Sequence, residues 1–416
     1  MTRKYILLAA TSATALTLAA AAGAQDLRVT VWTGNAAHLE MLNGFAESFT
    51  ATRPGVTVTF ETIPAADYTQ RLTFQLAGGN APDLGWIMED AAPAFIDADV
   101  LVDVGPALRA NAEYDFDDLS EPALGLWVDG DAVFGVPFST SPFMTFYNLD
   151  LFEAAGLEDP LTLAERGEWT MDKMRETALA LRTANPETWG LEFKDGQGYD
   201  SRFMHTMVPA IRAFGGFAWQ DNTCGFASPE AVAAMSFLHD MIYQDRSVPP
   251  PGEIGDFFSG NAGMTVNQIS RASVLSQAGF EWGIAPLPTG PAGPAPVIGQ
   301  AGIGVFASGA NRELATEFLA HWTNKENVAT MARFFPPARQ SVLDGEGFVN
   351  GNPLIPAEQM RHVAAAIADG QVLPSHPRNP QILAAMAPRV DTMWRADADV
   401  GAALNAICDA IAPQLR

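Results

Sequence analysis

Cysteine is scarce: 416 residues carry two, Cys224 and Cys408. Two cysteines cannot scaffold a chain of this length, so the fold must rest on apolar cores. They could pair in an oxidising compartment or remain two buried small side chains, and the sequence leaves both open. Histidine is thin as well, six in all, with no H-E-x-x-H or H-x₃-H spacing. No metal site and no cofactor are therefore expected. Positive charge is short, with 24 Lys+Arg against 48 Asp+Glu and a formal charge of −24. A chain without basic excess cannot displace counterions from phosphates, which argues against nucleic acid as a partner. It also disfavours an anionic membrane surface. After the N-terminal segment no run reaches the roughly 18 apolar residues that a spanning helix needs. No G-x-S-x-G elbow, P-loop or G-x-G-x-x-G fingerprint is present.

Apolar residues make up 48% and charged residues 17%, ample for large cores. The length implies two domains or three. Residues 1–24 have the pattern of a secretory signal: Arg3 and Lys4, an uncharged stretch from Ile6 to Ala22, then Ala22-Gly23-Ala24 as an A-x-A cleavage site. The expected product is a periplasmic protein beginning at Gln25.

From there the periodicity alternates between two and 3.6. Leu27, Val29 and Val31 mark a strand, and Leu39, Leu42, Phe45 and Phe49 a helix stopped by Pro54-Gly55. Val56, Val58 and Phe60 mark a second strand, and Tyr68, Leu72 and Leu76 a second helix. Leu84 to Met88 is a short buried strand. This order calls for a parallel sheet with helices on both faces. Ligands of such sheets meet the loops at the strands' carboxyl ends, here Thr33–Ala37, Ile63–Asp67 and Glu89–Ala92. Further on, Thr170 and Ser228-Pro229-Glu230 are helix starts. Met264–Asn267, Trp282–Pro288 and Ile303–Phe306 are strands, and helices are expected around 357–369, 380–395 and 399–412.

A set of short motifs runs in order behind the signal. It comprises Asn80-Ala81-Pro82-Asp83-Leu84, Phe134-Gly135-Val136-Pro137, Tyr147-Asn148-Leu149-Asp150-Leu151-Phe152, Trp169-Thr170, Phe214-Gly215-Gly216, Gly263-Met264, Ala285-Pro286-Leu287-Pro288 and Ala315-Thr316-Glu317-Phe318-Leu319. The ordered set resembles the extracellular solute-binding proteins of family 1, the carbohydrate-capturing subunits of ABC importers. The resemblance covers essentially all of the mature chain. It implies an α/β fold of the periplasmic-binding-protein-like (type II) kind, two α/β lobes joined by a three-crossing hinge. Crossings are expected near Ser139–Pro142, Ile284–Pro288 and His321–Thr323. One lobe is then 25–140 plus 286–322, and the other 141–285 plus 323–416. The implied partners are a small-molecule carbohydrate and ABC transporter permease subunits, with the binding protein itself a monomer.

A sugar hydroxyl both donates and accepts, so its site needs carboxylates and amides, while its C–H face suits an aromatic ring. Carried over by resemblance, Asn35 lies in the loop after the first strand, and Glu89 and Asp90 in the acidic loop after the third. Ser141 stands where the second lobe's contacts begin. Asn267 and Gln268 end a strand facing the cleft, with Ser270 where a Trp is common in the family, a departure that argues against a maltodextrin. Gly302 belongs to a glycine-containing cleft segment, Arg339 is a cleft-edge donor, and Tyr199 and Trp219 are aromatic candidates. Two alternatives stay open: a binding protein for a non-sugar solute such as a polyamine, which would suit an acidic, aromatic cleft, and a secreted glycoside hydrolase using two of the many carboxylates.

Overall fold

The computed structural model describes residues 25–193, 203–220 and 222–416; residues 1–24, where a signal segment is expected, and Tyr199 lie outside them. Strands are β1 (Gln25–Val31), β2 (Val56–Thr62), β3 (Leu84–Met88), β4 (Val128–Asp129), β5 (Ala132–Val133), β6 (Val136–Asn148), β7 (Trp189–Glu192), β8 (Trp219–Gln220), β9 (Thr223–Cys224), β10 (Ala262–Gln268), β11 (Trp282–Ala285), β12 (Val297–Val305) and β13 (Gln371–Val372). The main sheet runs β2-β1-β3-β12-β6-β10-β7, with β11 also on β6 and β13 on β12.

The alternating N-terminal pattern forms as expected. β1 pairs in parallel with β2, Gln25 opposite Val56 through Val31 opposite Thr62, and with β3 on its other side. Between β1 and β2 lies the helix Ala36–Thr50, which buries Leu42, Phe45, Ala46 and Phe49. The sheet as a whole is mixed rather than parallel, because β12 joins β3 antiparallel and β6 joins β12 antiparallel. Crossover helices force parallel neighbours, whereas these strands arrive from distant parts of the chain.

The expected crossing at Ser139–Pro142 lies in the interior of one 13-residue strand, β6. Its polar groups are satisfied where they stand. The Thr140 hydroxyl donates to the Pro337 carbonyl at 2.8 Å, and the Ser141 hydroxyl accepts from the Ser270 N–H at 3.2 Å. Satisfied hydroxyls carry little penalty inside a sheet.

Side chains alternate across a strand, and β6 shows it. Phe143 and Tyr147 enter one core, while Met144 and Phe146 enter another on the opposite face. A third core gathers Leu27 to Phe138 with Ala301 to Val342. The chain passes between this core and the other two inside β6, inside β12, and between Val342 and Leu343. Residues Leu287 to Val297 therefore pack with Phe143 and its neighbours rather than with the N-terminal core.

Helix caps follow local chemistry. The Thr170 hydroxyl accepts from Lys173 N–H ahead of the helix Met171–Ala184, and Ser228 caps Pro229–Tyr243. The three expected C-terminal helices are Ala357–Ala368, Asn379–Met393 and Val400–Ile411. Cys224 in β9 and Cys408 in the last of these form a disulfide across 184 residues of sequence, which closes the choice the sequence left open.

Candidate ligand-binding site

A cavity of about 560 Å³ lies where the cores meet. Its floor is the pair of strands that pass between them, with Phe138, Ser139 and Ser141 from β6 and Gly299, Gln300 and Ala301 from β12. One wall comes from the carboxyl ends of β1 and β3, as Trp32, Met88, Glu89 and Asp90. The facing wall is Gln268 and Ser270 after β10 with Phe203, Met204 and His205. Leu383, Met386, Ala387 and Val390, one face of the helix Asn379–Met393, close the end.

The aromatic wall is rigid. Trp32 is half-buried and meets Trp86 edge-on at 4.8 Å and Tyr68 at 5.0 Å. Trp86 stacks on Phe138 at 4.5 Å, and Phe335 meets Phe138 edge-on at 5.2 Å. The buried Tyr68 hydroxyl donates to the Trp86 carbonyl at 2.8 Å, which pins the cluster to β3. Such rings offer flat apolar faces that are already ordered before a ligand arrives.

The acidic side is built around Glu89. One carboxylate oxygen accepts the Gln300 backbone N–H, and the other lies 3.7 Å from His205 Nε2 on the facing wall. The Ser375 hydroxyl donates to the Glu89 carbonyl at 3.3 Å, a second link across the cavity. Asp90 opens into the cavity, yet the protein around it desolvates the carboxyl and pushes it above the ordinary aspartate range; His205 and nearby backbone N–H groups oppose the shift. Gly299 leaves room for the Gln268 carboxamide to lie against the floor strand. A Cβ there would fall 1.8 Å from Gln268 Nε2.

The sequence candidates divide. Glu89, Asp90, Ser141 and Gln268 come together around the cavity. Asn267 is buried in β10 beside it, its Oδ1 accepting the Gln268 N–H. Asn35 is exposed, and its side chain caps the helix Ala36–Thr50 through the Ala37 and His38 N–H groups. Trp219 lies in β8 in a larger and more open groove of about 1150 Å³ next door, its indole N–H donated to the Ser375 carbonyl.

Two candidates are structural. Gly302 faces Trp127, and a Cβ would meet that ring at 2.5 Å. Arg339 is wholly buried, and its guanidinium donates to the Thr323, Asp115 and Tyr114 carbonyls and to Asp118 at 3.2 Å. Every arm of the fork is occupied, so Arg339 is not a cleft-edge donor. Trp32, Phe138, Phe335, His205, Asn379 and the apolar face of its helix were not among the candidates. The spacing of Leu383, Met386, Ala387 and Val390 signals a buried helix face but not what it faces.

Two α/β bodies around a polar, aromatic-walled cavity, linked by strands that pass between them, define a two-lobed binding protein. The family of bacterial extracellular solute-binding proteins matches residues 35–329, and the chain belongs to it. A binding protein of Brucella abortus is 24% identical over 357 residues, covering 82% of each chain. Among solved structures, the cyclic α-maltosyl-1,6-maltose binding protein of Arthrobacter globiformis superposes with a TM-score of 0.81 at 19% identity, covering 94% of this chain and 99% of that one. UgpB from Mycobacterium tuberculosis in complex with glycerophosphocholine gives a TM-score of 0.78 at 21% identity, covering 94% and 98%. The fold is that of the type II periplasmic binding proteins.

Proposed function

We propose that the protein captures a carbohydrate in the cavity between its lobes and delivers it to the permease of an ABC importer. The observation that carries this reading is the pairing of the half-buried aromatic rings Trp32 and Phe335, backed by the buried Phe138, with Glu89, Asp90, Gln268 and Ser141 in one cavity. Rings take the C–H face of a sugar, while carboxylates and amides take its hydroxyls. Family relatives bind such ligands, among them a maltotriose-binding protein of Pyrococcus abyssi, 23% identical over 254 residues that make up 60% of this chain and 51% of that protein.

In this reading one lobe is Gln25 to about Thr140 with about Ala301 to Val342, and the other comprises the rest of the mature chain. β6, β12 and the segment before Leu343 act as the hinge. Ligand would favour the closed form by contacts made to both walls at once, and only by its differential affinity for that form. Cleavage after Ala24 would release the chain to the periplasm, where it would act as a monomer and return the sugar unchanged.

Thermal unfolding of the mature protein against sugars, polyols, polyamines and ferric salts tests the proposal. A ligand bound only by the native state adds about 2.7 kcal/mol at a hundredfold excess over Kd. A raised Tm with a carbohydrate group that is not consumed supports it. A shift with polyamine or metal alone overturns the carbohydrate and keeps the binding role; hydrolysis of the sugar overturns the binding role in favour of an enzyme.

A further inference from the structure

The charge on the cavity is one-sided. Two carboxylates face it, and among the described residues no Lys or Arg side chain lines it. Among the described residues, the arginines next in sequence to the lining, Arg271, Arg378 and Arg389, have contacts outside it, Arg389 donating to the Ala385 carbonyl. The guanidinium of Arg271, next to Ser270, lies over the Phe258 ring at 4.6 Å, and Arg378, next to Asn379, donates to the Pro413 and Gln414 carbonyls. The basic group that does line the cavity is His205, and it faces Glu89. Asp90 opens into the cavity and pairs with no Lys or Arg among the described residues; its desolvation is opposed by backbone N–H groups and the charge of His205. Asn379, buried to more than nine-tenths at the cavity's edge, has an Oδ1 with no hydrogen-bond partner among the described residues.

These features share a sign. A carboxylate that opens into a cavity yet is partly desolvated by its surroundings, as Asp90 is, gains when something positive or strongly donating meets it. A neutral hydroxyl brings one donor together with two lone pairs that need donors in return, and a phosphate brings acceptors and like charge. A protonated amine brings three donors, no acceptor and a full positive charge. An aromatic face such as that of the half-buried Trp32 attracts a cation as well.

We propose that the ligand is an aminated carbohydrate, an amino sugar or amino polyol, whose ammonium group is held at Asp90 and the Glu89 side of the cavity while its carbon skeleton lies along the aromatic wall. This rests on the reading of the cavity as a carbohydrate site and names the class of sugar.

The test is calorimetric titration of the mature, disulfide-bonded protein with matched pairs in slightly acidic buffer, where sugar amines are protonated. The probes are glucosamine and its β-1,4 dimer and trimer against their N-acetylated forms, and N-methylglucamine against sorbitol. Spermidine and glycerol 3-phosphate complete the set. An aminated member should bind at least about tenfold more tightly than its neutral partner, as a charge-assisted hydrogen bond allows. Asp90→Asn should lower the affinity of the aminated member at least about tenfold, to within about twofold of its neutral partner in the same variant; an unchanged unfolding midpoint of the unliganded variant establishes that it folds. Equal or tighter binding of the neutral members, or a preference that survives Asp90→Asn, overturns the aminated class and leaves carbohydrate capture standing. Binding of spermidine with no carbohydrate bound overturns both readings. Tight binding of glycerol 3-phosphate, or no binding of any aminated probe, overturns the aminated class.

Discussion

Glu89 and His205 face each other across the cavity, carboxylate Oε1 3.7 Å from imidazole Nε2, one following β3 and the other in the segment Phe203–Met207. The pair joins two parts of the chain that belong to different cores, and Glu89 is fixed by the Gln300 N–H on the floor strand β12. Floor and both walls therefore meet at one carboxylate.

Removing that carboxylate should be felt in binding. Glu89→Gln keeps the shape but gives up the charge. It should weaken ligand binding about tenfold or more, as loss of a hydrogen bond to a charged group does. Titration calorimetry on Glu89→Gln, His205→Ala and the double variant checks it. Additive losses would mean that the two walls act independently, and a smaller loss in the double variant that they act as a pair.

Trp32 should behave as a binding residue rather than a folding residue. It is half-buried, while Trp86 behind it is wholly buried. Trp32→Ala should cost about 2 kcal/mol of ligand affinity, in line with aromatic hot spots, with a smaller effect on the unliganded protein's urea midpoint. A loss of stability that outweighs the loss of affinity would place Trp32 in the core.

Arg339 and Asp118 should behave the other way. Both side chains are buried, and Asp118 also accepts from the Ser341 hydroxyl and N–H. Burial pushes the Asp118 carboxyl up, but Ser341 and the Arg339 guanidinium more than offset it and hold it below the ordinary range. A depressed folded pKa means stability present above the unfolded value and lost as pH falls through the folded one. Arg339→Ala should destabilise by about 3–5 kcal/mol, since it leaves a buried charge unpaired, without changing ligand affinity once the variant is folded. Asp118→Asn should be weaker than wild type at neutral pH, and the gap should shrink below about pH 4. Denaturant titrations across pH read it.

The Cys224–Cys408 bond ties the hairpin β8–β9 to the helix Val400–Ile411 across 184 residues. Replacing both by serine should cost about 2–5 kcal/mol, through the freedom returned to the unfolded chain. Urea unfolding with and without reductant measures this. A loss confined to reducing conditions in the wild type, and absent from the double variant, assigns it to the bond.

Local chemistry explains what could be read from the sequence alone. The β1–helix–β2 unit, the Thr170 and Ser228 caps and the acidic loop after β3 depend on residues within a turn or two of one another, and they stand where the pattern puts them. The polar middle of β6 carries no strand signal in the sequence, because its hydroxyls are satisfied by Pro337 and Ser270, more than a hundred positions away. Arg339 misled for the same reason, its partners near Asp115 lying 224 positions off. Asn35 has the right residue type in the right loop, but its carboxamide is spent on a helix cap. The helix wall of Leu383 and Met386 shows an apolar face in the sequence, and only the packing makes that face the end of a cavity.

The most direct test is binding of a carbohydrate panel to the wild type, Trp32→Ala and Asp90→Asn proteins, each refolded from denaturant to free it of bound solute, followed by titration calorimetry. One carbohydrate group should bind the wild type one to one, be recovered unaltered, and lose at least about tenfold in affinity in both variants. Binding that is indifferent to both substitutions, or the absence of any carbohydrate binding, would contradict the assignment of this cavity to carbohydrate capture.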